Sequence, residues 1–329
     1  MRIGIITPAP PRSRYGNRVT ALRWARILSA LGHRATLAQK YQGEPFDLLI
    51  ALHARRSHQA ILRFRREHPA APLVVALTGT DLYRDLPSSR KAQLSLELAT
   101  RIVVLQPKAL EELRARWRKK ARVIYQSLVA PSRGMRDRKK GKFRRPHRTF
   151  NVCVIGHLRP VKDPFRAALA ARLLPLESRI RILQAGGAMS PEMAGRAGKE
   201  MERNPRYRWL GEQRRRRIRR LLAQSRISVL SSRMEGGANV LSEAIVAGCP
   251  VLASRIPGSI GILGENYPGY FKVGDTRGLA QLLLRAESDP VFGSKLSSRC
   301  RKLAARFEPA RERAAWLNLL RELSHLSAN

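Results

Sequence analysis

Short apolar runs bounded by turn residues alternate with stretches of helical periodicity along the chain. The first run, Arg2–Thr7 (RIGIIT), ends at Pro8. A continuous run this short, cut off by prolines, predicts a buried strand. After a loop holding Ser13, Gly16 and Asn17, apolar positions Val19, Leu22, Trp24, Ile27, Leu28 and Leu31 recur at helical spacing. Gly32 then supplies a C-terminal stop. Strand-like runs follow at Arg34–Ala38, Leu48–Leu52, Leu73–Leu77, Arg101–Leu105 and Arg122–Tyr125, with helical stretches over Ser57–Glu67 and Lys108–Lys119. Strand and helix in repetition predict a parallel α/β sheet.

Residues 131–149 interrupt this pattern. Nine of these nineteen positions are Lys or Arg, and almost none is apolar. The segment is expected to be a basic linker between a first domain, 1–130, and a second, 150–300. The alternation then restarts. Strands are expected at Phe150–Ile155, Ile180–Gln184, Arg208–Leu210, Ile227–Leu230 and Pro250–Ala253, and helices at Asp163–Leu173, Gln213–Gln224 and Asn239–Ala247. The last stretch, with Leu296, Leu303, Trp316, Leu319 and Leu320 in helical register, predicts C-terminal helices, and 301–329 is expected to pack back on the first domain. The fold class is α/β: two Rossmann-like domains facing across a cleft, where ligands of such sheets bind.

Composition narrows the classes. A 43% apolar fraction in 329 residues fills two cores and argues against a disordered or fibrous chain. No run approaches the ~18 apolar residues of a membrane span. The N-terminus lacks the apolar core of a secretory leader, so a cytoplasmic protein is expected. Cys153, Cys249 and Cys300 form an odd, scattered set without a CxxC, giving neither a disulfide framework nor a zinc signature, and no metal is expected. The formal charge of +40 is extreme. It is spread over both halves, with 33 basic and 9 acidic residues before position 151 and 31 and 15 after it. Such a field concentrates anions: nucleic acid, anionic lipid or phosphorylated small molecules. The plain alternative is a bias toward arginine on solvated faces. Aromatics are only 6% and no RNP-like run occurs, so no specific nucleic-acid partner is expected. Arg214–Arg217, followed by Ile218 and Arg219–Leu222, reads as the solvated face of a helix. Peripheral contact with anionic membrane is its sharper reading.

Three loops carry candidate chemistry. Gly16-Asn17-Arg18 lies between the first strand and its helix, where a glycine admits close ligand approach and helix amides face an anion. It is not GxGxxG and no acidic residue follows at the right strand end, which disfavours NAD. The second loop, Gly156-His157-Leu158-Arg159-Pro160-Val161-Lys162, opens the second domain, with a helix expected to start near Asp163 or Pro164. Arg159 and Lys162 beside backbone amides suit a diphosphate, which needs its negative charge held as it leaves. The third loop runs from Ser231 to Glu243. Gly236-Gly237 allows close contact, Ala238, Asn239 and Val240 open a helix, and Glu235 and Glu243 offer carboxylates to ligand hydroxyls. Each loop could also be a plain turn.

These loops resemble the GT-B glycosyltransferases of the retaining, sugar-nucleotide-using type called family 4. Glu235 and Glu243 match that family's E-x7-E motif, which implies contacts to the donor sugar and to the ribose. Gly156 and Lys162 match its GRLxxxKG loop, which implies that their neighbours hold the donor diphosphate. His157 stands at the family's arginine position and Arg159 two places later. Thr78-Gly79-Thr80-Asp81 is similar to the family's HGxD turn with Thr78 in place of histidine, so His53 becomes a candidate for the missing contact. A narrower resemblance, carried by ITPAPPRSRYGNRVTALRWARIL, LIALHARRS, VVALTGTDLYRDL, IGHLRPVKDPFRAA and SSRMEGGANVLSEAI, is to the selenosugar synthases of selenoneine biosynthesis.

That resemblance implies transfer of a sugar from a UDP-sugar to selenophosphate, forming a C–Se bond with release of UDP and using no cofactor. Lys162, Arg159 and Glu235 would serve the reaction. Gly156, His157, Gly236, Gly237, Ala238, Asn239, Val240 and Glu243 would complete the donor site. The acceptor would meet Gly16, Asn17, Arg18, His53, Thr78 and Asp81, with Arg55 or Arg56 assisting. A soft anionic nucleophile has little need of a general base, in keeping with the lack of an obvious base dyad. A lipid or polysaccharide acceptor at a membrane is the alternative, and a basic nucleic-acid-binding protein the third. His58 and His157 also invite a catalytic role, but a lone histidine at a strand end is commonly structural.

Overall fold

A computed structural model describes residues 1–13, 15–128 and 149–328 of the chain. The expected linker, 131–149, lies outside the described residues except for Thr149. The chain forms two compact units. The first comprises Met1–Ser127, Glu235–Gly237 and Pro309–Asn329, and the second comprises Leu128–Met234 and Ala238–Glu308.

In the first unit, strands β1 (Arg2–Ile6), β2 (Arg34–Ala38), β3 (Leu48–Leu52), β4 (Leu73–Leu77), β5 (Arg101–Val104) and β6 (Ala121–Val123) form one sheet. Its order is β2-β1-β3-β4-β5-β6, and every pair is parallel. All five residues of β3 and of β4 are buried, as a central strand covered on both faces requires. Alternate residues serve opposite cores. Leu49 and Ala51 pack with Phe64, Leu96 and Trp117, whereas Leu48, Ile50 and Leu52 pack with Trp24, Leu28 and Trp316. Trp316 comes from the C-terminal helix, Pro309–Ala328, and meets Trp24 edge-on at 4.9 Å. In the same helix, Glu312 accepts hydrogen bonds from Trp24 Nε1 (3.0 Å) and Ser127 N (2.7 Å). Burial raises its carboxyl above the ordinary glutamate value, despite the charge of Arg23 and these hydrogen bonds. Glu322, further along, pairs with Arg101 and Arg122.

The second unit holds β7 (Phe150–Ile155), β8 (Ile180–Ala185), β9 (Tyr207–Trp209), β10 (Ile227–Leu230), β11 (Val251–Ser254) and β12 (Tyr270–Phe271). The order β12-β11-β10-β7-β8-β9, again all parallel, is the Rossmann order, with the progression of strands reversing between β7 and β10. Among the described residues, no helix is long and apolar enough to cross a membrane.

Local geometry corrects three readings of the sequence. The single helix expected over 108–119 is a 3-10 turn, Pro107–Leu110, and a separate helix, Ala115–Lys119, because Arg114 takes an extended backbone (ψ 150°) between them. The helix expected from Asp163 begins only at Arg166. Asp163 adopts a left-handed backbone (φ 42°), and a following proline disfavours the helical region for it. A helix over Pro191–Arg203 was not anticipated at all.

Candidate functional site

Ligands of open parallel sheets bind beyond the carboxyl ends of the strands where the strand order reverses. In the second unit that place lies between β7 and β10, and these strands feed the loops 156–163 and 231–239. The two loops are tied together. Arg233 N donates to Val161 O (2.9 Å), and Ser231 Oγ bonds the carbonyls of Lys162 (3.2 Å) and Asp163 (2.9 Å). Arg159 is exposed, while His157 and Lys162 are half-buried. Asp163 and Ala238 (φ 31°), both non-glycine residues with left-handed backbones, terminate the two loops. Such conformations cost about 1–3 kcal/mol each and persist where surrounding structure imposes them. The delayed helix start removes helix amides from the neighbourhood of Arg159, so the positive charge of this loop resides in side chains.

Gly186, at the end of β8, completes the second unit's site. A Cβ there would stand 2.0 Å from Gly156 O, so only glycine lets the two turns touch. His157 lies close by, its Nδ1 3.5 Å from where Gly187 would carry a Cβ. A cavity of about 360 Å³ borders the 156–163 loop, and Phe165, Met193, Arg196 and Arg233 help line it. Arg196 lies 4.4 Å above the Phe165 ring. Arg196 and Arg233 were not anticipated. Arg233 stood two places from Glu235 in a loop already singled out, whereas Arg196 sits in the unanticipated helix. That helix did carry a signal: Ser190 caps it by accepting from Met193 N, with Pro191 following. Asn239 and Val240 are the first two residues of helix Asn239–Val246, and Glu243 is half-buried within it.

In the first unit the strand order reverses between β1 and β3. The loop after β1 leads into helix Gly16–Ala30, which has no side-chain cap and no acidic residue in its first turn. Asn17 and Arg18 are half-buried there, and Arg18 Nε is buried without a hydrogen-bond partner among the described residues. A Cβ on Gly16 would meet nothing within 4 Å, so this glycine answers no crowding within the chain.

The loop after β3 is denser. His53 is 2% exposed and has a left-handed backbone (φ 73°). Its Nδ1 accepts from Arg56 N (3.3 Å), and its Nε2 lies 3.2 Å from Thr80 Oγ1 and 3.8 Å from Asp85. Burial holds the imidazole below the ordinary histidine value, against the pull of Asp81 and Asp85. Asp81 is fully buried, and its carboxylate accepts from Ala54 N (3.1 Å), Thr78 N (2.9 Å) and Gly79 N (2.8 Å). What Asp81 lends a ligand is the shape of the 78–81 turn. Asp85 is gripped by Arg55 (3.0 Å) and Arg84 (3.0 Å). Burial opposes its ionisation, but the Arg84 hydrogen bond and the charges of Arg84, Arg55 and His53 prevail and hold its carboxyl below the ordinary aspartate value. Arg55 is thus engaged, while Arg56 is exposed and makes no ion pair among the described residues. His58 is buried, hydrogen-bonded to Ser95 (2.9 Å), and serves packing.

Glu235–Gly237 group with the first unit. A Cβ on Gly236 would lie 2.4 Å from Thr78 O, and one on Gly237 2.7 Å from Leu105 Cβ. Gly236 therefore serves close backbone approach to the 78–79 turn, and Gly237 makes room for the Leu105 side chain, which brings together segments that the sequence presented separately. Glu235 is half-buried.

Comparison with known proteins follows this geometry. A family model described as glycosyl transferases group 1 matches residues 135–307. No curated protein matches the sequence significantly. Among solved structures, HepE of Anabaena in complex with UDP and glucose is similar at 16% identity and TM-score 0.74, covering 98% of this chain and 100% of that one. Sucrose-phosphate synthase of Thermosynechococcus elongatus is similar at 16% identity and TM-score 0.78, with 98% and 99% covered. A glycosyltransferase of Rickettsia africae gives 14% identity and TM-score 0.74, with 98% of each chain covered. At these identities the likeness establishes the fold: two Rossmann-like units of the GT-B type.

Proposed function

Because the chain belongs to the group 1 glycosyl transferases, we propose that it transfers a sugar from a UDP-sugar to selenophosphate. The C1–O bond to the diphosphate breaks, a C1–Se bond forms, and UDP departs. The observation that carries the donor half is the pair of loops at the β7/β10 switch point, joined through Arg233, Ser231, Val161, Lys162 and Asp163. Arg159 and Lys162, with Arg196 and Arg233 beside them, supply fixed positive charge where a leaving diphosphate gains negative charge. Glu243, and Glu235 ahead of it, are assigned to donor hydroxyls. UDP as the nucleotide is supported by the HepE structures, solved with UDP and with UDP-glucose.

The acceptor half rests on the resemblance of the first-unit loops to selenosugar synthases and on their chemistry. The loops offer Arg56, which makes no ion pair among the described residues, and the helix start at Gly16–Arg18, while His53 is engaged at both nitrogens. That suits an anionic nucleophile which arrives already deprotonated. Purified protein incubated with several UDP-sugars, with and without selenophosphate, should release UDP rapidly only when both substrates are present. Release that ignores selenophosphate removes the assignment.

A second reading has its own observation. Arg214–Arg217, Arg219 and Arg220 are all exposed around helix Arg215–Gln224, whose Leu221 and Leu222 are buried. This surface would dock on anionic lipid if the acceptor were a membrane glycan. Salt-sensitive co-sedimentation with anionic vesicles, together with UDP release stimulated by those vesicles rather than by selenophosphate, would favour it.

A further inference from the structure

The first unit contains a hydroxyl whose orientation its neighbours dictate. His53 Nδ1 accepts from the backbone N–H of Arg56. In the neutral ring the single hydrogen therefore sits on Nε2, because one imidazole nitrogen accepts and the other donates. That N–H faces Thr80 Oγ1 at 3.2 Å. Burial disfavours the charged ring, and at 2% exposure, with both nitrogens in contact, the ring has little room to turn away. Thr80 must accept this bond, and its own hydrogen has no acceptor among the described residues. Nor is it used for helix capping, although Thr80 occupies the cap position of the turn Asp81–Asp85. The residue is half-buried, and it lies beyond the carboxyl ends of β3 and β4 in a parallel sheet, beside the switch point.

We infer that Thr80 is a binding residue for the anionic acceptor, donating its hydroxyl hydrogen to an acceptor oxygen, with His53 as the positioning residue that aims it. The inference rests on the reading that the first unit receives the acceptor. It separates the roles of two histidine-like positions: His53 acts through Thr80, while Thr78 contributes its backbone to the neighbouring turn. With His53 donating to Oγ1, the hydroxyl hydrogen is left for a ligand, and a phosphate-type oxygen suits it.

The test uses Thr80→Val, which keeps the shape and removes the hydroxyl, and Thr80→Ser, which keeps the hydroxyl. Selenophosphate, and thiophosphate as a chemically stable stand-in, are titrated calorimetrically into the full-length protein and both variants, with and without UDP. The expected result is affinity within about three-fold of the parent for Thr80→Ser and roughly ten-fold or more weaker for Thr80→Val. The KM for the UDP-sugar should stay unchanged in both, and Thr80→Ser should keep the parent's unfolding midpoint, whereas Thr80→Val, which leaves the buried His53 Nε2–H without its acceptor, should unfold a few degrees lower. Equal binding by Thr80→Val and the parent overturns the inference, as does equal loss in both variants, a shift confined to the UDP-sugar, or absence of heat with the parent protein. Binding that follows this pattern without UDP release would remove the proposed reaction and leave the anion site standing.

Discussion

Two strand-order reversals, one in each unit, are built from parallel sheets of different strand order and differ in how they place charge. The reversal between β7 and β10 places arginines and a lysine at the surface and holds its loops by backbone hydrogen bonds and a glycine contact. The reversal between β1 and β3 buries two carboxylates and a histidine and leaves Arg56 outside them. Fixed cations at the first reversal suit a ligand whose charge grows during reaction. At the second, a buried histidine whose Nδ1 is already engaged, beside the exposed Arg56, suits on the proposed reading a ligand that arrives already charged. Parallel sheets can therefore carry loops of unlike charge at comparable positions.

The largest expected effect would break this comparison if it failed. Lys162→Ala, and separately Arg159→Ala, should lower kcat by on the order of 10²–10³ with small change in the KM for selenophosphate, as measured by UDP release. If instead either change acted mainly on acceptor KM, the two reversals would not divide the work as argued.

A smaller effect sharpens the contrast within the first unit. Arg56→Ala should raise the acceptor KM roughly ten-fold, as loss of a charge-assisted contact does. Arg55→Ala should raise it less and show chiefly as a lower unfolding midpoint, because Arg55 is engaged with Asp85. Reversed behaviour of the two would place the anion on the Asp85 side of His53.

The smallest effect concerns buried acids alone. Glu312 is held above the ordinary glutamate value, so its contribution to stability is complete below the unfolded-state value and is lost as pH rises through the folded-state one. Asp85, held low, works in the opposite sense and loses its contribution as pH falls. Urea unfolding from about pH 4 upward should therefore show a downward slope in the parent that is flattened in Glu312→Gln. Identical slopes would remove the titration assigned to Glu312.

The sequence made the second unit's site more legible than the first's. Gly156, Lys162 and Glu243 belong to motifs of short fixed spacing, so local pattern and family resemblance both expose them. His53 meets Thr80, and Ala54 meets Asp81, across 27 residues, and no spacing rule predicts such pairs. Strands were read well because runs such as β3 and β4 are continuously apolar. The helix Pro191–Arg203 escaped because Gly195 and Gly198 lower its propensity and only Ala197 and Glu200 are buried along it, leaving a weak apolar stripe. Its Ser190–Pro191 cap was the better signal. The late start of helix Arg166–Ala171 was legible in Pro164, which penalises a helical residue before it.

The helix Pro309–Ala328 gives the first unit a dependence on chain order. Trp24, Leu28 and Ser127 emerge from the ribosome early, yet Trp316, Leu320 and Glu312, which cover them, are made only after the whole of the second unit. The second unit can finish its sheet while the first still exposes an indole to the cell. Nascent chains stalled before residue 309 should therefore recruit chaperones through the earlier-made unit, inverting the usual amino-to-carboxyl order of domain maturation.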